Sequence, residues 1–290
     1  MAKLAFLGTP AVAARVLSAL HAAGHEIPIV VSRPDRRRGR GGAVTPSPVK
    51  TVALDLGLPV TEQPDDVLAT GAELGVVVAY GRILRPPVLG GIHLVNLHLS
   101  LLPRWRGAAP VERAVLAGDP ETGVCLMTID EGLDTGPVHG CVRTPIGPEE
   151  TADELRLRLV DLGTELLVER LSALPGSLGP AVAQDGEATV AAKLEPHELE
   201  LDWSRPAVEL HRLVRVGRAH TIWQGKRLLV HRARLAPAPA SPPGSLADGV
   251  VATGDGGLEL LEVQLEGRAA QQFGAFARGA RLAAVEQVGT

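Results

Sequence analysis

The strongest constraint on this chain is the alternation, between Leu4 and Leu171, of short apolar runs with stretches of helical period. Leu4 to Leu7 reads as a strand. Gly8-Thr9-Pro10 leads from it into a helix over about Ala11 to Ala23, which Gly24 is placed to end. Ile27 to Val31 is a second strand, a loop rich in Arg, Gly and Pro fills 32–48, and a helix runs from about Val49 to near Gly57. Gly75-Val76-Val77-Val78-Ala79 is apolar throughout, as a strand covered on both faces requires. Leu94 to Leu99 is a further strand, and a helix around Val111 to Leu116 precedes Gly118. Strands follow near Val124–Ile129 and Val138–Arg143, and Thr151-x-x-Glu154 is a capping box opening a helix toward Leu171. Strands alternating with helices predict an α/β fold with an open, mostly parallel, Rossmann-like sheet.

Beyond about Leu174 the pattern changes. Residues 175–200 are rich in Gly, Pro and Ala with scattered charges and read as a connector. Ser204 is expected to cap a short helix to about Val214. Strand-like segments then fall at Arg227–His231, Gly249–Ala252 and Leu258–Val263, separated by turn signals at Pro242-Pro243-Gly244 and Asp255-Gly256-Gly257. Short strands joined by turns predict a small OB-like β-barrel. The expected division is a Rossmann-like domain over 1–178, a linker over 179–200 and an OB-like domain over 201–290.

Composition narrows the class. Hydrophobic residues make up 45% of the 290, enough for a sizeable core, and aromatics only 2%, so that core is expected to be mostly Leu, Val, Ala and Ile. No run approaches the roughly 18 uninterrupted apolar residues of a membrane span. The start, from Met1 to Gly8, lacks a basic region followed by a long apolar stretch, so a cytoplasmic protein without a signal peptide is expected. Cys125 and Cys141 have neither CxxC spacing nor a histidine pair beside them, and they are expected to pack as small buried hydrophobes, with no metal. Between Arg33 and Arg40 stand five arginines and one aspartate, a local excess of positive charge in a chain whose net charge is -4. A basic loop on an acidic body suggests one localised polyanion contact.

Two elements carry candidate chemistry. Residues 95–107 read Val-Asn-Leu-His-Leu-Ser-Leu-Leu-Pro-Arg-Trp-Arg-Gly. On a strand, Asn96 and His98 share one face while Val95, Leu97 and Leu99 share the other. Polar residues ending an apolar strand lie where open α/β sheets bind ligands. For His98 alone, a satisfied core histidine is the simpler reading. The second element, Asp130 to Pro137, is an acidic loop between strands. A calcium loop is excluded because its twelfth position is Cys141 and not a glutamate, which leaves a solvated turn as the bland alternative.

Together these elements resemble the active site of the folate-dependent formyltransferases: Asn96-x-His98, Ser100-Leu101-Leu102-Pro103, and Leu133-Asp134-Thr135-Gly136. Flanking blocks resemble the methionyl-tRNA formyltransferase family within that group: Phe6-Leu7-Gly8-Thr9-Pro10, Thr45-Pro46-Ser47-Pro48-Val49-Lys50, Arg106-Gly107-Ala108-Ala109-Pro110 and Leu201-Asp202-Trp203-Ser204. The likeness runs from Phe6 to about Arg281, and Val216–Thr221 departs from the family's Pro and aromatic pattern. The resemblance implies 10-formyltetrahydrofolate as co-substrate, initiator methionyl-tRNA as acceptor, no metal, no membrane and a monomer. It implies that Asn96, His98 and Asp134 are catalytic, and that Ser100, Leu101, Leu102 and Pro103 border the folate. It further implies that the basic loop, with Arg36, Arg37, Arg38 and Arg40, and Lys50 beside it, meets the tRNA. Purine-pathway and sugar-nucleotide formyltransferases share the catalytic set but not the basic loop with its flanking blocks. A dinucleotide-binding dehydrogenase is disfavoured because Gly8-Thr9-Pro10 is not GxGxxG and no acidic residue ends the second strand.

Overall fold

A computed structural model describes residues 1–38, 43–172, 178–237, 239–281 and 285–289. It contains two compact units. The first comprises Met1–Gly107, Glu121–Thr144 and Arg156–Ala191; the second comprises Ala108–Pro120, Pro145–Leu155 and Ala192–Thr290.

The first unit begins β1 (Lys3–Gly8), α1 (Ala11–Ala22), β2 (Glu26–Val31). The stretch read as a loop then forms a small antiparallel ladder, β3 (Arg36–Arg38) with β4 (Ala43–Thr45). There follow α2 (Pro48–Asp55), β5 (Val60–Thr61), β6 (Leu74–Val78), α3 (Pro86–Gly91), β7 (Leu94–His98) and β8 (Arg106–Gly107). After α4 (Pro110–Ala117), which belongs to the second unit, come β9 (Glu121–Thr128), β10 (Val138–Pro145), α5 (Ala152–Leu171) and β11 (Val190–Ala191).

The main sheet has the order β10-β9-β7-β6-β1-β2-β5. Its pairs from β5 to β7 are parallel, and β9 joins β7 antiparallel. This is the Rossmann-like sheet that the alternation predicts. Its central strands are unbroken apolar runs because both faces are covered. Leu4, Phe6, Val76, Val78, Val95 and Leu97 point into one core with residues of α1 and α5. Ala5, Leu7, Val77 and Leu94 point into the other. The capping box at Thr151 and Glu154 forms as read, with Thr151 Oγ1 accepting from the Glu154 N–H and Glu154 accepting from the Thr151 N–H.

In the second unit, α6 (Ala207–Val216) precedes β12 (His220–Trp223), β13 (Lys226–Ala236), β14 (Ser245–Ala247), β15 (Val250–Ala252) and β16 (Gly257–Leu265). The chain ends in β17 (Gln271–Gln272), α7 (Phe273–Ala280) and β18 (Glu286–Gln287). The strands run β12-β13-β16-β15-β14-β18 with antiparallel pairing and curl into a barrel-like sheet, with β17 added to β16.

One expectation is corrected. Ser204 does not cap α6: its hydroxyl donates to Asp202 Oδ1 at 2.6 Å, and α6 starts after Pro206 without a side-chain cap. The core is mostly Leu, Val, Ala and Ile in both units, as composition predicts; in the first, Phe6 and Tyr80 are its aromatic members. The second unit adds Trp203, Trp223, Phe273 and Phe276 to its aliphatic cluster. A small barrel gains most from side chains that bury a large area each. Among the described residues no helix is long and apolar enough to cross a membrane.

Candidate active site

Strand alternation sets the first two groups. Val95 and Leu97 enter the core under α1 and α5, so Asn96 and His98 leave β7 on the opposite face, at its carboxyl end. Asn96 is half-buried, and its side-chain amide has no hydrogen-bond partner among the described residues. His98 is 5% exposed and both ring nitrogens are engaged. Nε2 lies 2.8 Å from the Trp105 carbonyl. A carbonyl only accepts, so Nε2 carries a hydrogen and donates it. Nδ1 faces Asp134 Oδ2 at 3.5 Å.

Asp134 reaches that position from the loop joining β9 to β10. Its Oδ2 also accepts from the Gly107 N–H at 2.9 Å. Its backbone is left-handed, φ 51°, which few residues other than glycine adopt. Gly136 lets the loop press against β9, since a Cβ there would lie 1.9 Å from the Thr128 carbonyl oxygen. The loop is further held by Gln184, whose Nε2 donates to the carbonyls of Asp134 and Gly136, both at 2.8 Å. Gln184 Oε1 accepts from Arg106 Nε at 2.9 Å and Nη2 at 2.6 Å. Sequence reasoning missed Gln184. It stands in the stretch read as a connector, where no periodicity or spacing marks it.

The turn after β7 behaves differently residue by residue. Ser100 is fully buried and its hydroxyl donates to the Arg104 carbonyl at 2.6 Å, so it shapes the turn from within. Leu101, Leu102 and Pro103 are half-buried, with a cis peptide bond between the last two. Arg104 lies over the Trp105 ring, 4.5 Å from its centroid. The Trp105 N–H donates to Thr189 Oγ1 at 2.8 Å, and the parallel pair β8–β11 continues that grip. At the same sheet edge Thr9 Oγ1 donates to the Tyr80 carbonyl, joining the loops that follow β1 and β6.

The basic residues lie apart from this cluster in kind. Arg36 and Arg37 are exposed on the β3–β4 ladder. Arg38 ends β3, and Arg40 lies outside the described residues. Lys50 is already paired, its Nζ 2.9 Å from both Asp35 oxygens. The cysteines require another correction. Cys125 and Cys141 do not pack separately but form a disulfide, with Cys125 buried and Cys141 exposed. β9 and β10 are sheet neighbours, which brings these positions, 16 residues apart, to a Cα separation of 4.1 Å. Cys125 is also the register partner of His98.

This arrangement provides a free amide donor, an imidazole with one nitrogen anchored, and a carboxylate facing the other nitrogen. Such a set can stabilise negative charge developing on a carbonyl oxygen and accept a proton from an attacking nucleophile.

Comparison with known proteins bears on which carbonyl that is. A family model described as formyl transferase matches residues 2–171, and one described as formyl transferase, C-terminal domain, matches 193–281. The methionyl-tRNA formyltransferase of Symbiobacterium thermophilum is 44% identical over 316 residues, covering 100% of this chain and 95% of that protein. Among solved structures, an N-formyltransferase from Helicobacter canadensis in complex with folinic acid and dTDP-3-aminofucose has a TM-score of 0.70 at 16% identity. It covers 93% of this chain and 100% of its own. HypX from Aquifex aeolicus in complex with tetrahydrofolic acid has a TM-score of 0.67 at 16% identity, covering 96% of this chain and 47% of its own. The structural matches establish likeness of fold.

Proposed function

Because the chain belongs to the formyl transferase family, we propose that it transfers the formyl group of 10-formyltetrahydrofolate to the α-amino group of initiator methionyl-tRNA, giving N-formylmethionyl-tRNA. The observation that carries the chemistry is the His98–Asp134 pair at 3.5 Å beside the unpartnered Asn96 amide. The near-complete match to a methionyl-tRNA formyltransferase, through both halves of the chain, carries the choice of acceptor.

The attacking amine has a reference pKa of about 7.7–8.0, so a useful neutral fraction exists near neutrality. As its nitrogen bonds to the formyl carbon, the formyl oxygen gains negative charge and the nitrogen must shed a proton. Asn96 donates its amide N–H to that oxygen. His98 supplies a second donor from Nδ1 when that nitrogen is protonated; Nε2 stays committed to the Trp105 carbonyl and fixes the ring. Asp134, facing Nδ1, takes the proton of the amine directly or through water. The oxyanion then collapses to re-form the carbonyl, the bond from the formyl carbon to folate N10 breaks, and the proton taken by Asp134 passes to N10.

Leu101, Leu102 and Pro103, half-buried beside the site, suit a flat apolar ring of the folate, while Ser100 supports them from behind. Arg36, Arg37, Arg38 and Arg40 suit phosphate through bidentate contacts. Lys50 serves the same surface by holding Asp35 at its base. A monomer in the cytoplasm goes with this reading; sedimentation and fractionation would check both.

The test is purified protein with labelled 10-formyltetrahydrofolate offered initiator methionyl-tRNA, elongator methionyl-tRNA, glycinamide ribonucleotide or an amino-sugar nucleotide. Label should pass to the initiator tRNA by a wide margin. Preferential transfer to either small nucleotide would overturn the assignment.

A further inference from the structure

Gln184 stands 50 residues from Asp134 and 78 from Arg106, and the reaction as derived calls for no amide at its position. Yet its side chain fills every hydrogen-bonding capacity it has. Its two N–H groups go to the Asp134 and Gly136 carbonyls, and its oxygen takes both Nε and Nη2 of Arg106. Each partner lies on an element that holds a reacting group. The first carbonyl belongs to Asp134 itself. The second belongs to the glycine that lets the loop approach β9. Arg106 is flanked by Trp105, whose carbonyl anchors His98, and by Gly107, whose N–H holds the Asp134 carboxylate.

Asp134 sits in a sparsely populated backbone region, and such a residue persists only where its surroundings over-determine it. Two carbonyls bracketing the loop, held by one planar NH2 group, fix the peptide planes around Asp134. They thereby fix the direction in which its carboxylate leaves the chain. The guanidinium contact ties the same amide to the 105–107 segment, which Thr189 holds from the other side through the Trp105 and Arg106 N–H groups.

We infer that Gln184 is a positioning residue for formyl transfer, latching the Asp134 loop to the 105–107 segment so that the carboxylate meets Nδ1 of His98. The inference rests on the reading of His98 and Asp134 as the reacting pair. Gln184 touches no substrate and acts through Asp134.

Two substitutions separate its ends. Gln184→Glu keeps an acceptor for Arg106 but has no hydrogens for the two carbonyls; Gln184→Leu loses both functions. Kinetics with 10-formyltetrahydrofolate and initiator methionyl-tRNA should show kcat reduced by about ten- to a hundredfold in both variants, the scale expected of a displaced catalytic group. KM for each substrate and the thermal midpoint should barely change, since Gln184 lies outside the core. In an Asp134→Asn background, Gln184→Leu should cost less than about twofold more, because residues acting as one unit are not additive. Native kcat in either variant overturns the latch. So does a loss that multiplies fully with that of Asp134→Asn, or one that tracks a fall in thermal midpoint. An impaired Asp134→Asn enzyme beside an unimpaired Gln184→Leu enzyme would sink the latch alone. Native turnover by Asp134→Asn would sink the catalytic reading and the latch with it.

Discussion

The loop carrying Asp134 and the ladder carrying the arginines are both polar excursions from the same sheet, and they are built in opposite ways. The Asp134 loop is fastened along its length. The Thr128 N–H donates to the Pro137 carbonyl, Asp130 Oδ1 accepts from the Gly132 N–H and Thr135 Oγ1, and Gln184 and Gly107 hold the centre. The β3–β4 ladder has three residue pairs and little beneath them: Arg36 and Arg37 are exposed, Val44 is 63% exposed, and the Asp35–Lys50 ion pair stands at its base. A group that must meet a developing charge within hydrogen-bond distance has to be ordered beforehand. Charges that attract a polyanion act over roughly 8–10 Å at moderate salt and need reach more than order. On the proposed function, the contrast is one of tasks.

The largest effect should come from the fastened side. If His98 acts as proposed, His98→Ala removes a charge-stabilising donor, and a loss of about 3–4 kcal/mol of barrier lowering is expected, near a thousandfold in kcat. Folding and tRNA affinity should be retained. A variant with near-parental turnover would break the comparison outright.

Next comes the disulfide, which ties together the two strands from which the Asp134 loop springs. It joins positions 16 apart in sequence, for which a contribution up to about 3 kcal/mol is expected. Replacing both cysteines by serine should lower the thermal midpoint. A parental midpoint under non-reducing conditions would show that the loop is held by its hydrogen bonds alone.

Arg36→Ala and Arg37→Ala on the ladder should each cost roughly 1–3 kcal/mol in catalytic efficiency toward charged tRNA, as should Arg40→Ala, at a position outside the described residues. The cost should shrink as salt rises, and folate affinity and thermal midpoint should not move. A loss confined to folate affinity would mean the ladder belongs to the site and the contrast is false.

The smallest effect concerns His139 on β10. Burial holds its imidazole below the ordinary value of 6.5, opposed by a hydrogen bond to the Gly179 carbonyl and assisted by the nearby charges of His93 and Arg170. The unfolded chain therefore binds a proton at this residue more readily than the folded one, and stability must fall as pH drops below about 6.5 toward the lowered value. Above that range the contribution is complete. Thermal midpoints measured from pH 7.5 down to 5 should decline, and His139→Gln should flatten part of that decline. An unchanged slope would show that this end of the fastened region is indifferent to His139 protonation.

Much of this was legible in the sequence because it is encoded over short spans. Apolar runs between Gly and Pro signals marked the central strands. The two-residue alternation put Asn96 and His98 on one face. The box at Thr151 and Glu154 marked the start of α5. The fold class follows from these, as does the pairing of a parallel sheet with a small barrel. What the sequence could not show is which distant groups meet. Gln184 finds the Asp134 loop, Cys125 finds Cys141, and the Trp105 carbonyl finds His98 only once strands and connections are packed. The Ser204 hydroxyl has two candidate local partners, a helix N–H and Asp202; α6 begins only after Pro206, and the hydroxyl bonds Asp202. Periodicity and turn chemistry depend on neighbours in the chain, so a sequence states them directly. A hydrogen bond across 50 residues depends on where two surfaces come to rest, and only the packed structure fixes that.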